Sequence, residues 1–231
     1  MATKNPRKRR SSKISKSSAK AAHPVFLPLI LVVLALWVVY RSLFNFPVWF
    51  DETIGKALFF GLPVWVYIVI SNLQEIPNSL ASFKLKRGLS LGLAIGGLYG
   101  FAATTLAVYQ RGSGVQPAAL FMADRFWWEF ALALLTAFWE TLFFYSFVMT
   151  VVQHKFTQWS LLKQLLLVVG IFMAFHLPNT ILRFGAFGAF YQVILLSLFA
   201  LGQGYLFASE KNAYALILSH AIWGMVLLIH F

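Results

Sequence analysis

Long apolar runs separated by short polar segments make up most of this chain after residue 24. Seven runs are long enough, at about 1.5 Å of helix rise per residue, to cross the roughly 30 Å hydrocarbon core of a bilayer. The runs lie near residues 25–44, 57–74, 88–109, 127–152, 161–182, 187–208 and 212–231. This pattern predicts an all-α polytopic membrane protein, built as a bundle of about seven transmembrane helices.

The third run has glycine at every fourth position, which places the glycines on one face of a helix. They are Gly88, Gly92, Gly96 and Gly100. A stripe of residues without side chains allows a neighbouring backbone to come close. The stripe therefore predicts tight packing of this helix against another helix.

Composition narrows the possible functions. Of the 231 residues, 60% are hydrophobic and only 11% are charged, against roughly 25% charged residues in soluble domains. A water-soluble enzyme and an intrinsically disordered chain are excluded. The chain has no cysteine, which also excludes thiolate nucleophiles and cysteine-ligated metal centres. Any chemistry must depend on carboxylates, imidazoles and hydroxyls.

The net charge of +12 is concentrated at the N-terminus, because residues 1–23 hold eight basic side chains and no acidic one. We expect a disordered cytoplasmic tail that touches anionic lipids, followed by a transmembrane helical domain at 24–231. Arg41 and Lys56 then fall on the outer side of the membrane. The tail has no aromatic residues, so nucleic acid is not an expected partner.

Three ionisable side chains fall well inside the predicted spans: Glu140, His176 and His220. Each costs about 2.5–3.5 kcal/mol to insert, so all three are expected to face the interior of the bundle. Five of the other six acids, among them Asp51 and Glu52, fall in predicted loops. The sixth, Glu129, is expected near a membrane surface, where it can pair with Arg125 one helical turn earlier.

Several roles are open for these three residues. Glu140 and His176 are suited to activate a water molecule while His220 stabilises an oxyanion. Alternatively, all three could hold a metal ion such as zinc, although spacing assigns no metal site. They could also simply pair with one another between helices. Pro178 is expected to kink or end the fifth helix beyond His176, which would let Asn179 line a polar cavity.

Three segments resemble the motifs of the CAAX-protease and bacteriocin-processing family of intramembrane proteases. The family's first motif, Glu-Glu-x-x-x-Arg, is similar to the stretch that begins at Glu140. Its second motif, Phe-x-x-x-His, is similar to Phe172 through His176, and its third, His-x-x-x-Asn, to His220 through Gly224. The resemblance covers residues 126–231.

The resemblance implies an intramembrane endopeptidase for membrane-associated or prenylated proteins and peptides. Glu140 and His176 would activate water, and His220 would stabilise the oxyanion. The family's residues are replaced at three supporting positions, by Thr141, Tyr145 and Gly224.

Because of these replacements, a catalytically impaired pseudoprotease with a binding, immunity or regulatory role stays open. A proton-coupled transporter is a third alternative, but it would be expected to place more than one acid in the bundle. The basic tail and the resemblance together favour the bacterial plasma membrane.

Overall fold

The computed structural model describes residues 23–111 and 124–230. Of the predicted tail, residues 1–22 lie outside this described part. Within it the structure is helical and contains no strand. The helices are α1 Phe26–Leu43, α2 Val48–Ser71, α3 Glu75–Asn78, α4 Leu85–Arg111, α5 Phe126–Lys155, α6 Leu161–Glu210 and α7 Ala213–His230.

Five helical segments of the described residues are long and apolar enough to cross a membrane. They are α1, α2, α5 and two stretches of α6, Leu161–Ile181 and Gln192–Glu210. The predicted all-α polytopic architecture is confirmed.

Helix α2 corrects the predicted second span. It begins at Val48, nine residues before the predicted start at 57. Two π-helical segments, Asp51–Gly55 and Ala57–Gly61, continue the helix through its polar part. The prediction was wrong because it treated the charges in this stretch as signs of a loop, whereas they are paired inside the protein.

Helix α6 contains the predicted fifth and sixth spans as two apolar stretches, Leu161–Ile181 and Gln192–Glu210, and its helical backbone continues through Pro178. It also folds back on itself. A Cβ atom added to Gly204 would lie 2.8 Å from Cδ2 of Leu165, whereas a straight helix would separate these positions by about 58 Å (39 residues at 1.5 Å each). The two predicted spans are therefore confirmed as two apolar stretches that lie side by side, and they are joined by continuous helical backbone rather than by a loop.

The glycine stripe on α4 packs against α7, as predicted. A Cβ atom on Gly92 would lie 2.7 Å from the carbonyl oxygen of Ala215, and one on Gly96 would lie 2.6 Å from Cδ1 of Ile222. Only glycine permits this approach, since such distances are too short for a side-chain carbon. The close contact fixes the position of α7, the helix that carries His220.

Aromatic side chains hold α2, α5 and α6 together. Phe143 and Phe144 of α5 are fully buried. Their rings contact Phe60 of α2 and Phe175 of α6, with centroids 5.1–5.5 Å apart. Phe60 and Phe175 also contact each other, at 5.8 Å. Edge-to-face pairs of this kind are worth about 0.5–1.5 kcal/mol beyond their area. Within about one turn of these rings, each of the three helices carries an ionisable residue of the site described next.

Candidate active site

Glu140 lies halfway along α5, which has 30 residues, and is 5% exposed. It ends the α-helical part of α5, and a π-helical segment, Thr141–Met149, follows it directly. π-Helical turns are rare and occur frequently at functional sites. The local backbone thus places this carboxylate deep in the bundle, at a change of helical geometry.

The structure brings together the three ionisable residues singled out in the sequence. Nε2 of His176 lies 3.4 Å from Oε2 of Glu140, and Nε2 of His220 lies 3.5 Å from the same oxygen. The residues come from α5, α6 and α7. One carboxylate oxygen therefore faces two imidazoles.

The orientation of His176 is set by Phe172, one turn earlier on α6. Nδ1 of His176 is 2.8 Å from the Phe172 carbonyl oxygen, and the two rings stack with centroids 3.9 Å apart. Because a carbonyl can only accept a hydrogen bond, Nδ1 carries the proton. In the neutral ring, Nε2 is then the basic nitrogen, and it points toward Glu140.

Lys56 of α2 occupies the other side of Glu140. Its Nζ lies 2.7 Å from Oε1 of Glu140 and 2.5 Å from Oε2 of Glu52, and its side chain is only 8% exposed. Thr136 of α5 donates a further hydrogen bond to Glu52. One ammonium group thus bridges two carboxylates from different helices.

This bridge corrects the prediction that Glu52 lies in a loop and that Lys56 lies outside the second span. The spacing of these two residues, four apart next to an apolar run, is the signal that could have found them, because such pairs share a helix face. Nothing in the sequence pointed to Glu140 as the second carboxylate. That contact depends on how α2 packs against α5.

A second polar network lies beside the first and joins α1, α2 and α6. NH1 of Arg41 is 2.5 Å from Oδ2 of Asp51, and Nε of Arg41 donates to Oδ1 of Asn179 at 2.7 Å. The Tyr40 hydroxyl donates to Oδ1 of Asp51 at 2.5 Å. Asp51, predicted in a loop, is instead buried and paired.

A small cavity of about 80 Å³ lies between these two networks. Glu140, His176, Lys56 and Asn179 contribute polar groups to its lining, and Trp37 contributes an aromatic wall. Such a volume holds a water molecule when several polar partners surround it. The site therefore combines a carboxylate, a basic imidazole nitrogen and space for a small reactant.

Comparison with protein families matches residues 122–226 to the family described as type II CAAX prenyl endopeptidase, Rce1-like. The matched segment contains Glu140, His176 and His220.

This part of the chain is similar to the CAAX-protease family.

The protein is accordingly an integral membrane protein, and the family is one of membrane-embedded endopeptidases. No curated protein and no solved structure matches the chain.

Two positions of the first CAAX-protease motif depart from the family pattern. Thr141, in place of the second Glu, is fully buried, and its hydroxyl has no hydrogen-bond partner among the described residues. Tyr145, in place of the Arg, is also fully buried, and its hydroxyl lies 3.5 Å from the Ala200 carbonyl oxygen. The motif's second acid and its cation are missing, but Glu52 and Lys56 bring an acid and a cation to Glu140 from α2.

The third CAAX-protease motif departs at Gly224, which stands one helical turn beyond His220 on α7. A Cβ atom added to Gly224 would meet nothing within 4 Å. Nδ1 of His220 is buried and has no partner within residues 23–111 and 124–230. A Cβ atom at Gly224 therefore meets no steric obstacle among the described residues.

The donor set does not fit a metal ion. Among the residues that the structure describes, no three His, Asp or Glu side chains are arranged to hold one. The Lys56 ammonium already binds Oε1 of Glu140, and a cation there would oppose a second positive ion.

Proposed function

We propose that this protein is an intramembrane endopeptidase that hydrolyses a peptide bond of a membrane-associated or prenylated protein or peptide. Glu140, His176 and His220 are the proposed catalytic residues. The observation that supports this most directly is that the two carboxylate oxygens of Glu140 have different partners. Oε1 binds Lys56, whereas Oε2 faces the two imidazole nitrogens.

The chemistry begins with a water molecule in the cavity next to Glu140. Nε2 of His176 removes one proton, and the water oxygen attacks the carbonyl carbon of the scissile bond. The carboxylate of Glu140 stabilises the imidazolium that forms, because their nearest atoms are 3.4 Å apart. Lys56 binds the other carboxylate oxygen and so fixes the orientation of Glu140.

The carbonyl oxygen becomes an oxyanion, which accepts a hydrogen bond from Nε2–H of His220. When the tetrahedral intermediate collapses, the carbon–nitrogen bond breaks and the proton held by His176 passes to the leaving nitrogen. The products are a carboxylic acid and an amine. Thr141, Tyr145, Phe172, Asn179 and Gly224 are supporting positions, of which Phe172 orients His176 directly.

A pseudoprotease that binds such a peptide without cleaving it is the second candidate. The observation in its favour is the absence of the family's usual residues at Thr141, Tyr145 and Gly224. Loss of one oxyanion donor typically lowers the rate by roughly 10²–10³-fold. In this case the wild-type chain binds membrane peptides but cleaves none.

We also propose that the protein resides in a bacterial plasma membrane with its N-terminus in the cytoplasm. The support is the tail of eight basic residues without an acid, which fits the positive-inside rule. In that position each basic residue gains about 1 kcal/mol from anionic headgroups. Sidedness follows from protease digestion of an N-terminal tag in oriented vesicles.

The test of the proposed activity uses the full chain in liposomes with a library of membrane-anchored peptides, some of them prenylated. We expect the wild type to cleave, and Glu140→Gln and His176→Ala to reduce cleavage at least 100-fold. Glu75→Gln and His154→Ala are matched controls, because this pair lies elsewhere in the chain, with Nε2 of His154 2.6 Å from Oε2 of Glu75. Equal cleavage by all four variants would rule the proposal out.

A further inference from the structure

A second, larger cavity adjoins the catalytic cavity. It has a volume of about 540 Å³, within the roughly 300–1,000 Å³ of typical ligand pockets. Arg41, Asp51, Glu52 and Asn179 line both cavities. We call the larger one the vestibule. The four shared residues form the boundary between the vestibule and the space beside Glu140.

The boundary is a polar network rather than a packed apolar wall. The guanidinium of Arg41 contacts Asp51 and Asn179, and the Arg41 side chain is still 25% exposed. A hydrogen-bonded side chain can change partners without opening a hydrophobic core. The boundary therefore separates the two spaces in this state and does not seal them permanently.

The remaining lining suits a peptide backbone. Ser42 and Asn45 offer a hydroxyl and an amide, while Leu43, Phe44 and Val48 provide apolar contacts. All five residues are exposed. A peptide in extended form needs donors and acceptors for its main chain together with apolar surface for its side chains.

The vestibule lies at the C-terminal end of α1, whereas the basic tail precedes the N-terminal end of α1 in the sequence. The tail joins α1 at Phe26, and the vestibule is built around the other end of α1, from Arg41 to Asn45. Helix α1 has 18 residues, or about 27 Å, which is nearly the thickness of the hydrocarbon core. The two ends of α1 therefore belong to opposite faces of the membrane.

We propose that the vestibule binds the water-exposed flank of the substrate, an extended peptide segment on the membrane face opposite the basic tail. With the tail in the cytoplasm, this segment is extracytoplasmic. The inference rests on the proposed endopeptidase function and adds the side from which the substrate arrives. The vestibule would then select membrane peptides in which the segment next to the cleaved bond lies outside the cytoplasm.

The chain has no native cysteine, so a single introduced cysteine reports cleanly on this site. Ser42→Cys places a thiol in the vestibule. Ser209→Cys is the matched control, because Ser209 is exposed near the end of α6, beside Lys211. Lys211 donates a hydrogen bond to Gln153 in the last turn of α5. In the same turn, Lys155 donates a hydrogen bond to the carbonyl oxygen of His23, which precedes α1. The control therefore lies on the side of the N-terminal end of α1.

Both variants are placed in liposomes and treated with a charged, membrane-impermeant thiol reagent added to one side at a time. We expect Ser42→Cys to react from the face opposite the tail and to lose at least tenfold in cleavage on labelling. Ser209→Cys should react from the tail face and cleave equally well before and after labelling.

The outcomes separate the two proposals. If the wild type cleaves no library peptide, the proposed function fails and this inference falls with it. If the wild type cleaves, but labelled Ser42→Cys cleaves as well as the unlabelled protein, the vestibule inference alone is overturned. Labelling of Ser42→Cys from the tail face overturns it as well.

Discussion

Lys56→Met removes the ammonium group that bridges Glu52 and Glu140. Both contacts are short, at 2.5 and 2.7 Å, and the Lys56 and Glu140 side chains are 8% and 6% exposed. Breaking a buried ion pair by removing one partner costs about 3–5 kcal/mol, because the remaining charge is left uncompensated. We therefore expect Lys56→Met to lower the free energy of unfolding by about that amount.

Glu140→Gln should cost less than Lys56→Met. The amide oxygen of glutamine still accepts a hydrogen bond from Lys56, and Lys56 keeps Glu52 as its counter-ion. In the double variant Lys56→Met/Glu140→Gln, the loss should fall short of the sum of the single losses by about 1–3 kcal/mol, as found for residues in direct contact.

The measurement is equilibrium unfolding in detergent micelles, followed by tryptophan fluorescence. Arg87→Met is the matched control, since its ion pair with Glu210 has a side chain 74% exposed and should contribute less than about 1 kcal/mol. The reasoning is refuted if Lys56→Met costs no more than Arg87→Met, or if the two buried substitutions are additive.

Gly92→Ala should destabilise the protein by about 1–3 kcal/mol, because the added methyl group clashes with Ala215. Gly97→Ala is the control and should be neutral or stabilising, because a Cβ atom at Gly97 meets nothing within 4 Å. Equal melting temperatures for the two variants would contradict the packing of α4 on α7. Gly224→Asn should raise kcat, up to the roughly 10²–10³-fold contribution of one oxyanion donor; an unchanged kcat in the peptide assay would argue against an oxyanion at this turn. Burial lowers the pKa of His23 below its ordinary value of 6.5. As the pH falls, His23 is therefore protonated in the unfolded chain before the folded one, and the stability of the fold should decrease below about pH 6.5. His23→Gln should remove this decrease from the profile of melting temperature against pH, and an unchanged profile would disprove the assignment.

The amino-acid sequence alone predicts the membrane class and the chemical groups available for catalysis. Apolar runs of spanning length can be stable only in lipid, so the helical architecture follows from composition and periodicity. The glycine stripe at 88–100 predicted close packing against another helix correctly, because a helix face without side chains lets a neighbouring helix come close. The ionisable residues Glu140, His176 and His220 could be singled out because charge within a span is expensive.

The tertiary structure decided what surrounds Glu140. Lys56 and Asp51 looked like loop residues, because charge near a span boundary normally faces water. They are buried because charges on α1, α2 and α5 neutralise one another, and such compensation depends on packing between segments far apart in the chain. The same holds for the fold-back of α6 and for the vestibule. Sequence pattern specifies which groups are present, whereas only the packing of helices decides which charges meet.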